Sequence, residues 1–266
     1  MSIYIWYLNY AHAQATENGL LYLPSGKNQK IFESYIKLCQ VDASKIIIKY
    51  AYTAQQIAMA IGKTIIIDPT SCSICNDDEN TVSVKNIFHQ LYEPSLTELA
   101  KKRQAWQLQN LTPEIQSFIF KHELGHVVDY YSYKKLWIIF LIGTLATYSA
   151  IHSAKIVLSS IGGIGAIFIG LTVSIFVDIF LTLLSNLVFK VEAEKRADNF
   201  AAKYSSVQEI IQAADFFAQE QEFIEIHKDP NDLLLKLPLE IFSGHPNGKS
   251  RKKYLLKLVE NKNNSR

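Results

Sequence analysis

The sequence predicts a mainly α-helical protein with a small β-sheet (α+β), interrupted by a transmembrane helical hairpin. Several segments place apolar residues at spacings of three and four, which is typical of helices packed on one face. Two short runs, residues 45–50 and 64–69, are rich in isoleucine and favour strands. The stretch 136–189 is apolar, and its charged residues are Lys155 and Asp178, which favours a membrane hairpin.

Composition limits the possible partners and compartments. The formal net charge is +2, so we expect no nucleic-acid partner. Three cysteines do not make a secreted disulfide framework and suit a reducing compartment. Cys72 and Cys75 form a CxxC pair, for which a loop with two free thiols is favoured over half a zinc site or a redox pair. A zinc ribbon would need a second pair, and Cys39 stands alone. The first residues lack the features of a signal peptide.

Before the apolar stretch, the pattern predicts three helices and two strands. The first helix is short, with an apolar stripe that comprises Ile31, Tyr35, Ile36 and Cys39. Residues 54–61 are apolar with small side chains, and residues 71–80 form a polar loop. The second helix follows Ser95 as its cap and runs through Gln109. The third follows Thr112 as its cap, begins at Pro113 and is expected to run to about residue 133.

The third helix carries the motif His122-Glu123-Leu124-Gly125-His126. Two histidines four apart on a helix point the same way, one turn above the other. In the HExxH pattern both imidazoles bind zinc and the glutamate activates a water molecule. A buried helix with two hydrogen-bonded histidines is the alternative for this motif alone.

The apolar stretch divides into two parts. Residues 136–152 are about long enough to cross a bilayer once, whereas 156–189 are too long for one straight span and are expected to break near Gly162, Gly163 and Gly165. Asp178 marks either a functional feature or the end of a span. A buried hairpin in a soluble protein is the architectural alternative.

Polarity returns after residue 189. The pattern predicts helices over residues 190–204, 207–226 and 250–259, with irregular chain before the last helix and a frayed tail from residue 261.

A catalytic zinc site needs a third protein ligand. A third histidine six residues after the second is excluded, because Ser132 occupies that position. Glu194 is the best candidate, and Asp198, one turn later, can accept the outer N–H of a ligating histidine. Glu192 is the rival, but Arg196 stands one turn after it and cannot act as that acceptor. Taken alone, Glu194 would be a solvated charge on a surface helix.

Topology adds a condition. The two helices can share one metal only if the apolar stretch crosses the membrane an even number of times. Lysines and arginines flank the stretch on both sides at Lys134, Lys135, Lys190, Lys195 and Arg196. The positive-inside rule therefore places the site in the cytoplasm, in agreement with the thiols.

The order of these motifs resembles membrane-bound gluzincin endopeptidases such as HtpX and the type 1 CAAX prenyl proteases. The resemblance rests on the HELGH motif, the membrane hairpin, the ExxAD pattern from Glu194 to Asp198, and the late Ser-Gly-His245-Pro followed by Arg251 and Leu255. It covers roughly residues 45–256. HtpX-like proteins carry transmembrane helices before HExxH, and none is visible in this sequence. The prenyl proteases enclose their site in a larger helical barrel, for which this chain is too short. The substrate therefore cannot be carried over.

The resemblance implies a zincin-like metalloprotease domain in two parts, residues 1–135 and 190–266, around the hairpin 136–189. One Zn²⁺ per chain is expected on His122, His126 and Glu194, with Glu123 as general base acting on a protein or peptide substrate. His245 is expected to stabilise the oxyanion, although a structural role in a Gly/Pro loop is the alternative. The lipid bilayer is the other expected partner.

A different class of function is also compatible with the sequence. A non-catalytic membrane protein, either a metal sensor or a degenerate protease that captures clients, would keep the fold, with or without the zinc. The intact Glu123 favours an enzyme, because a structural zinc site needs no base.

Overall fold

The protein is mainly helical with a small sheet, which confirms the α+β prediction. The computed structural model describes residues 24, 26–50, 57–61, 63–68, 98–129, 141, 143, 144, 148, 152, 191–227 and 247–264. Its elements are α1 (Gly26–Leu38), a 3-10 turn (Ala43–Lys45), β1 (Ile47–Tyr50), β2 (Ala58–Ile61), β3 (Thr64–Ile67), α2 (Glu98–Asn110), α3 (113–129), α4 (Val191–Tyr204), α5 (Val207–His227) and α6 (Gly248–Asn264).

The described sheet has the strand order β1-β3-β2. β1 runs parallel to β3 with Ile47 opposite Thr64, and β2 runs antiparallel to β3 with Ala58 opposite Ile67. The two isoleucine-rich runs were predicted as strands and form β1 and β3. β2 was described from the sequence only as apolar, because alanines and a methionine carry little strand preference. Its pairing with β3 makes it a strand.

Helix α3 begins as the sequence predicts. The Oγ1 of Thr112 accepts a hydrogen bond from the backbone N–H of Ile115 at 3.4 Å, and Pro113 is the first helical residue. The helix is continuous through residue 129, the last residue described there.

Three apolar clusters meet on α3. The first joins α1 and the sheet to α3 and includes Phe32, Tyr50 and Leu124. The second joins α3 to α4, α5 and α6, where Phe118 contacts a set of small and aliphatic side chains. The third contains Ile119 and Phe216. Because α3 contributes to all three, it lies at the centre of the described fold, and its polar residues are held by packing on several sides.

The two helices after the apolar stretch agree with their predicted ranges, and the last helix is longer than predicted. α6 starts at Gly248, where the Oδ1 of Asn247 accepts from the N–H of Lys249 at 2.9 Å. It continues to Asn264, so the frayed tail was wrong for residues 261–264. The reason is tertiary: the Nζ of Lys262 donates to the carbonyl of Ala202 at 3.0 Å and to that of Ser205.

The membrane prediction concerns residues that the structure mostly leaves undescribed. Among the described residues, no helix has both the length and the apolarity needed to cross a membrane. The predicted hairpin, 136–189, lies outside the described residues at all but five positions. Cys72, Cys75 and His245 also lie outside them. The hairpin and the division of the chain around it therefore stay predictions.

Candidate metal centre

Helices α3 and α4 bring three side chains to one point. His122 and His126 stand one turn apart on α3, and their Nε2 atoms lie 3.1 Å from each other. From α4, one Glu194 oxygen lies 3.2 Å from the Nε2 of His122, and the other lies 3.2 Å from the Nε2 of His126. Within the described part of the chain, these three residues form a group whose ligand atoms all lie within 4.8 Å of one another.

This donor set fits a zinc ion. Two ring nitrogens and a carboxylate oxygen that face one another repel unless a proton or a cation lies between them. Two histidines and one glutamate are a recurrent ligand set for catalytic zinc and leave a fourth position for water or substrate. Calcium and magnesium prefer sites made of oxygen alone. The chemistry of the group therefore favours zinc over the common hard cations.

Close packing of small residues brings the two helices together. Ala197 is 1% exposed and Ala201 is fully buried. A Cβ atom built on Gly125 would lie 2.9 Å from the Cα of Ala197, so α3 and α4 almost touch between the two histidines. This approach allows the short Glu194 side chain to reach both imidazoles.

Asp198 fixes the orientation of His122. Its Oδ1 lies 2.8 Å from the Nδ1 of His122, and Asp198 is 1% exposed. An Nδ1–H that donates to this carboxylate leaves the Nε2 lone pair directed at the proposed ligand position. This bond therefore selects the tautomer that binds a metal through Nε2 once that nitrogen has released its proton.

Arg251, from α6, holds Asp198 in turn. Its Nε donates to Oδ2 of Asp198 at 3.0 Å and its Nη2 donates to Oδ1 at 2.6 Å. Burial raises the pKa of Asp198, but the Arg251 guanidinium and His122 lower it by more. The pKa of Asp198 therefore lies below its ordinary value. Asp198 is therefore a carboxylate at neutral pH and accepts hydrogen bonds from both neighbours.

The charges around His122 change its proton affinity. Burial and the Arg251 guanidinium lower the pKa of His122, whereas Asp198 and Glu194 raise it, and the balance raises the pKa to about 9. A cation at Nε2 would have to displace a proton at neutral pH, so metal binding is coupled to proton release.

Glu123 is 7% exposed and lies between the two histidines in sequence. Its charge acts on the same buried guanidinium: burial lowers the pKa of Arg251, but Asp198, Glu194 and Glu123 raise it above its ordinary value. Glu123 therefore belongs to the same electrostatic environment as the three converging side chains.

Two glutamates of α4, Glu194 and Glu192, are the candidates for the third ligand, and the structure gives the exposure of both. Glu194 is 7% exposed, so it is not a solvated surface charge. The Glu192 side chain is 55% exposed and lies 3.9 Å from Arg196. Arg196 makes its shorter contact with Asp129, where its Nε donates to Oδ2 at 2.8 Å. This ion pair joins the described ends of α3 and α4.

The structure thus brings together four of the residues chosen from the sequence: His122, His126, Glu194 and Asp198. His245 lies outside the described residues. The contact between Arg251 and Asp198 was not foreseen, although the late arginine of the family motif was a signal for it.

Comparisons with known proteins agree with this geometry. The profile of peptidase family M48 matches residues 106–259, which is more than half of the chain and includes every residue of the centre described above. No curated protein and no solved structure gives a significant match.

Proposed function

This chain belongs to peptidase family M48, and from that premise we propose that it is a membrane-bound zinc endopeptidase of the HtpX or type 1 CAAX prenyl protease type. Family membership makes the chain a metallopeptidase that acts on proteins or peptides. The observation that supports a metal-dependent reaction is the convergence of His122, His126 and Glu194 on one point. The membrane location and the HtpX or prenyl protease type rest on the sequence motifs and the apolar stretch.

We assign metal binding to these three side chains and orientation of His122 to Asp198. When bound, zinc supplies Lewis acidity that polarises a carbonyl and makes water acidic enough to react near neutral pH. Glu123 accepts the proton of the attacking water and passes it to the leaving amine as the peptide bond breaks. His245 stabilises the developing oxyanion by donating a hydrogen bond.

Substrate binding is proposed at the sheet edge. β2 lies at one edge of the described sheet, and its outer backbone groups can pair with an extended peptide. Affinity would then come mainly from backbone hydrogen bonds, so cleavage would require little of the substrate sequence.

Location is also a proposal. The charge-poor stretch 136–189 supports a membrane hairpin, and its basic flanks support a cytoplasmic site. Carbonate extraction of membranes should leave the protein in the pellet. A protease added outside sealed inverted vesicles should reach a tag after residue 266. Release by carbonate would favour a soluble protein with a buried hairpin.

The variant Glu123→Gln tests the reaction. Purified wild type should contain one zinc per chain and cleave an unfolded protein such as casein, while the variant should keep zinc and lose at least about 100-fold in rate. Full turnover by this variant would contradict the mechanism. A wild-type protein that binds zinc and an unfolded client but never cleaves it would favour the non-catalytic alternative.

A further inference from the structure

We propose that Phe217, on α5, is a positioning residue of the metal centre: its ring supports the Arg251 guanidinium, which holds Asp198 and through it His122. The inference rests on the proposed metal site and adds a residue outside the motifs identified in the sequence.

The contact is that of a cation on an aromatic face. The Cζ of Arg251 lies 3.7 Å from the centroid of the Phe217 ring. The Arg251 side chain is 9% exposed, so the attraction between guanidinium and ring is little screened by water. Arginine is suited to this arrangement because its planar group can stack with one face while its edge donates hydrogen bonds.

The edge of this guanidinium is already used. Nε and Nη2 both donate to Asp198, and Nη2 also lies 3.1 Å from the Nδ1 of His122. A tilt of the guanidinium plane would lengthen the bonds to Asp198 or move Nη2 against His122. The two hydrogen bonds hold the edge of the guanidinium and resist a tilt of its plane, and the ring of Phe217 adds a second restraint against that tilt.

A second observation places the backbone of Phe217 in the same role. A Cβ built on Gly248 would lie 2.8 Å from the carbonyl carbon of Phe217 and still closer to its oxygen. Only glycine therefore allows the start of α6 to rest on α5 at this residue. Gly248 stands one turn before Arg251, so the backbone of Phe217 sets the position of the helix while its ring sets the position of the side chain.

The neighbouring Phe216 offers a matched control. It is 2% exposed and packs in the cluster of Leu111, Ile115 and Ile119, with its ring 5.3 Å from that of Trp106. Phe217 is half-buried, and its ring lies 6.4 Å from that of Phe118. The Phe216 ring also borders that of Phe217, edge-on at 5.9 Å between centroids. Its loss removes apolar packing beside Phe217, whereas the loss of Phe217 removes the ring face under Arg251 itself.

The test compares zinc affinity and stability in the purified full-length protein. Zinc dissociation constants are measured by competition with a chromophoric chelator, and thermal unfolding is followed without metal. Phe217→Leu should weaken zinc binding by roughly three- to tenfold, and Phe217→Tyr should restore it to within about twofold. Phe216→Leu should lower the unfolding temperature at least as much as Phe217→Leu and leave zinc affinity unchanged.

A double variant isolates the route through Arg251. Arg251→Lys removes the planar group, so adding Phe217→Leu to it should weaken zinc binding no further. Independent, additive losses would overturn the proposal, as would unchanged zinc affinity in Phe217→Leu or an equal loss in Phe216→Leu. If Phe217→Leu does not fold, Phe217→Met provides the same comparison with a flexible side chain that has no ring.

A metal-free measurement separates this proposal from the proposed function. If the wild-type protein binds no zinc, the proposed function fails, and the Nδ1–H resonance of His122 in histidine-labelled protein then reports the hydrogen bond to Asp198. That resonance should shift in Phe217→Leu and stay in place in Phe216→Leu. An identical resonance in both variants would overturn the positioning role without any use of metal.

Discussion

The Cα of Ala197 lies only 2.9 Å from the point where a Cβ on Gly125 would be, so the glycine of the HELGH motif is required by the neighbouring helix. Gly125→Ala should push α4 away from α3 at the level of Glu194. Alanine is the better helix former by about 1 kcal/mol, yet overpacking of this kind costs about 1–3 kcal/mol. We expect lower zinc content and a lower unfolding temperature, measured by metal analysis and calorimetry. Val128→Ala, at an exposed position of α3, is the control and should change neither.

Asp198 is expected to be needed for metal affinity although it is not a ligand. Asp198→Asn keeps the shape but removes the charge that holds His122 and pairs with Arg251. Loss of such an outer partner lowers metal affinity by about 10- to 100-fold. Chelator competition measures the change. Asn199→Ala removes an exposed acceptor of the Tyr254 hydroxyl and should have no effect, so equal losses would contradict the assigned role.

Glu209 should contribute stability that depends on pH. Burial raises the pKa of Glu209, but hydrogen bonds from Lys121, the Ser206 N–H and Ser117 lower it below its ordinary value of 4.5. The contribution is therefore present above pH 4.5 and is lost as the pH falls through the lower folded-state pKa. Thermal unfolding of wild type and Glu209→Gln should differ most near neutral pH and converge in acid.

The ion pair between Lys121 and Glu209 predicts how single and double variants should differ in stability. Lys121 is 2% exposed and donates to Glu209 at 2.9 Å and to the Ser205 hydroxyl at 3.3 Å. Glu209→Gln alone should cost up to about 3 kcal/mol, because the buried ammonium keeps hydrogen-bond acceptors but loses its counter-charge. Lys121→Met with Glu209→Gln should recover most of that loss. If the double variant is as unstable as Glu209→Gln, the loss of stability does not come from the unpaired charge of Lys121. Glu98→Gln, in an exposed pair with Lys101, is the neutral control.

The ion pair between Asp129 and Arg196 should stabilise the junction of α3 and α4. Asp129→Ala is expected to cost about 0.5–1 kcal/mol, since the contact is 2.8 Å and partly buried. Glu192→Ala alters the other carboxylate near Arg196, at 3.9 Å and more exposed, and should cost less than about 0.3 kcal/mol. Equal effects of the two variants on the unfolding temperature would assign the stabilisation to general charge balance.

Local signals in the sequence predicted much of the fold. The cap at Thr112, the isoleucine runs, the helix-forming residues of α4 and the apolar spacing of α5 depend on neighbours within a few positions, and the structure confirms them. Elements held by distant contacts were missed or shortened. β2 forms because β3 pairs with it, and α6 extends to Asn264 while Lys262 reaches carbonyls of another helix.

The site shows the same division. The spacing of His122 and His126 and that of Glu194 and Asp198 are properties of single helices, so the sequence contained them. Arg251 could be connected to Asp198 only after α6 was placed, and the resemblance supplied just its position in a motif. Phe217 has no local signature, because its relation to Arg251 depends on how α5 and α6 cross.

The anchoring of α4 by α6 has a consequence for biosynthesis. Arg251 follows His122 by 129 positions, and Lys262 closes the end of α4 from further still. A ribosome therefore exposes the histidines and Glu194 well before the helix that orders them has emerged. Until α6 emerges, Asp198 lacks the guanidinium that holds it, so the chain of hydrogen bonds that leads to His122 is completed only after His122 and Glu194 have been synthesised.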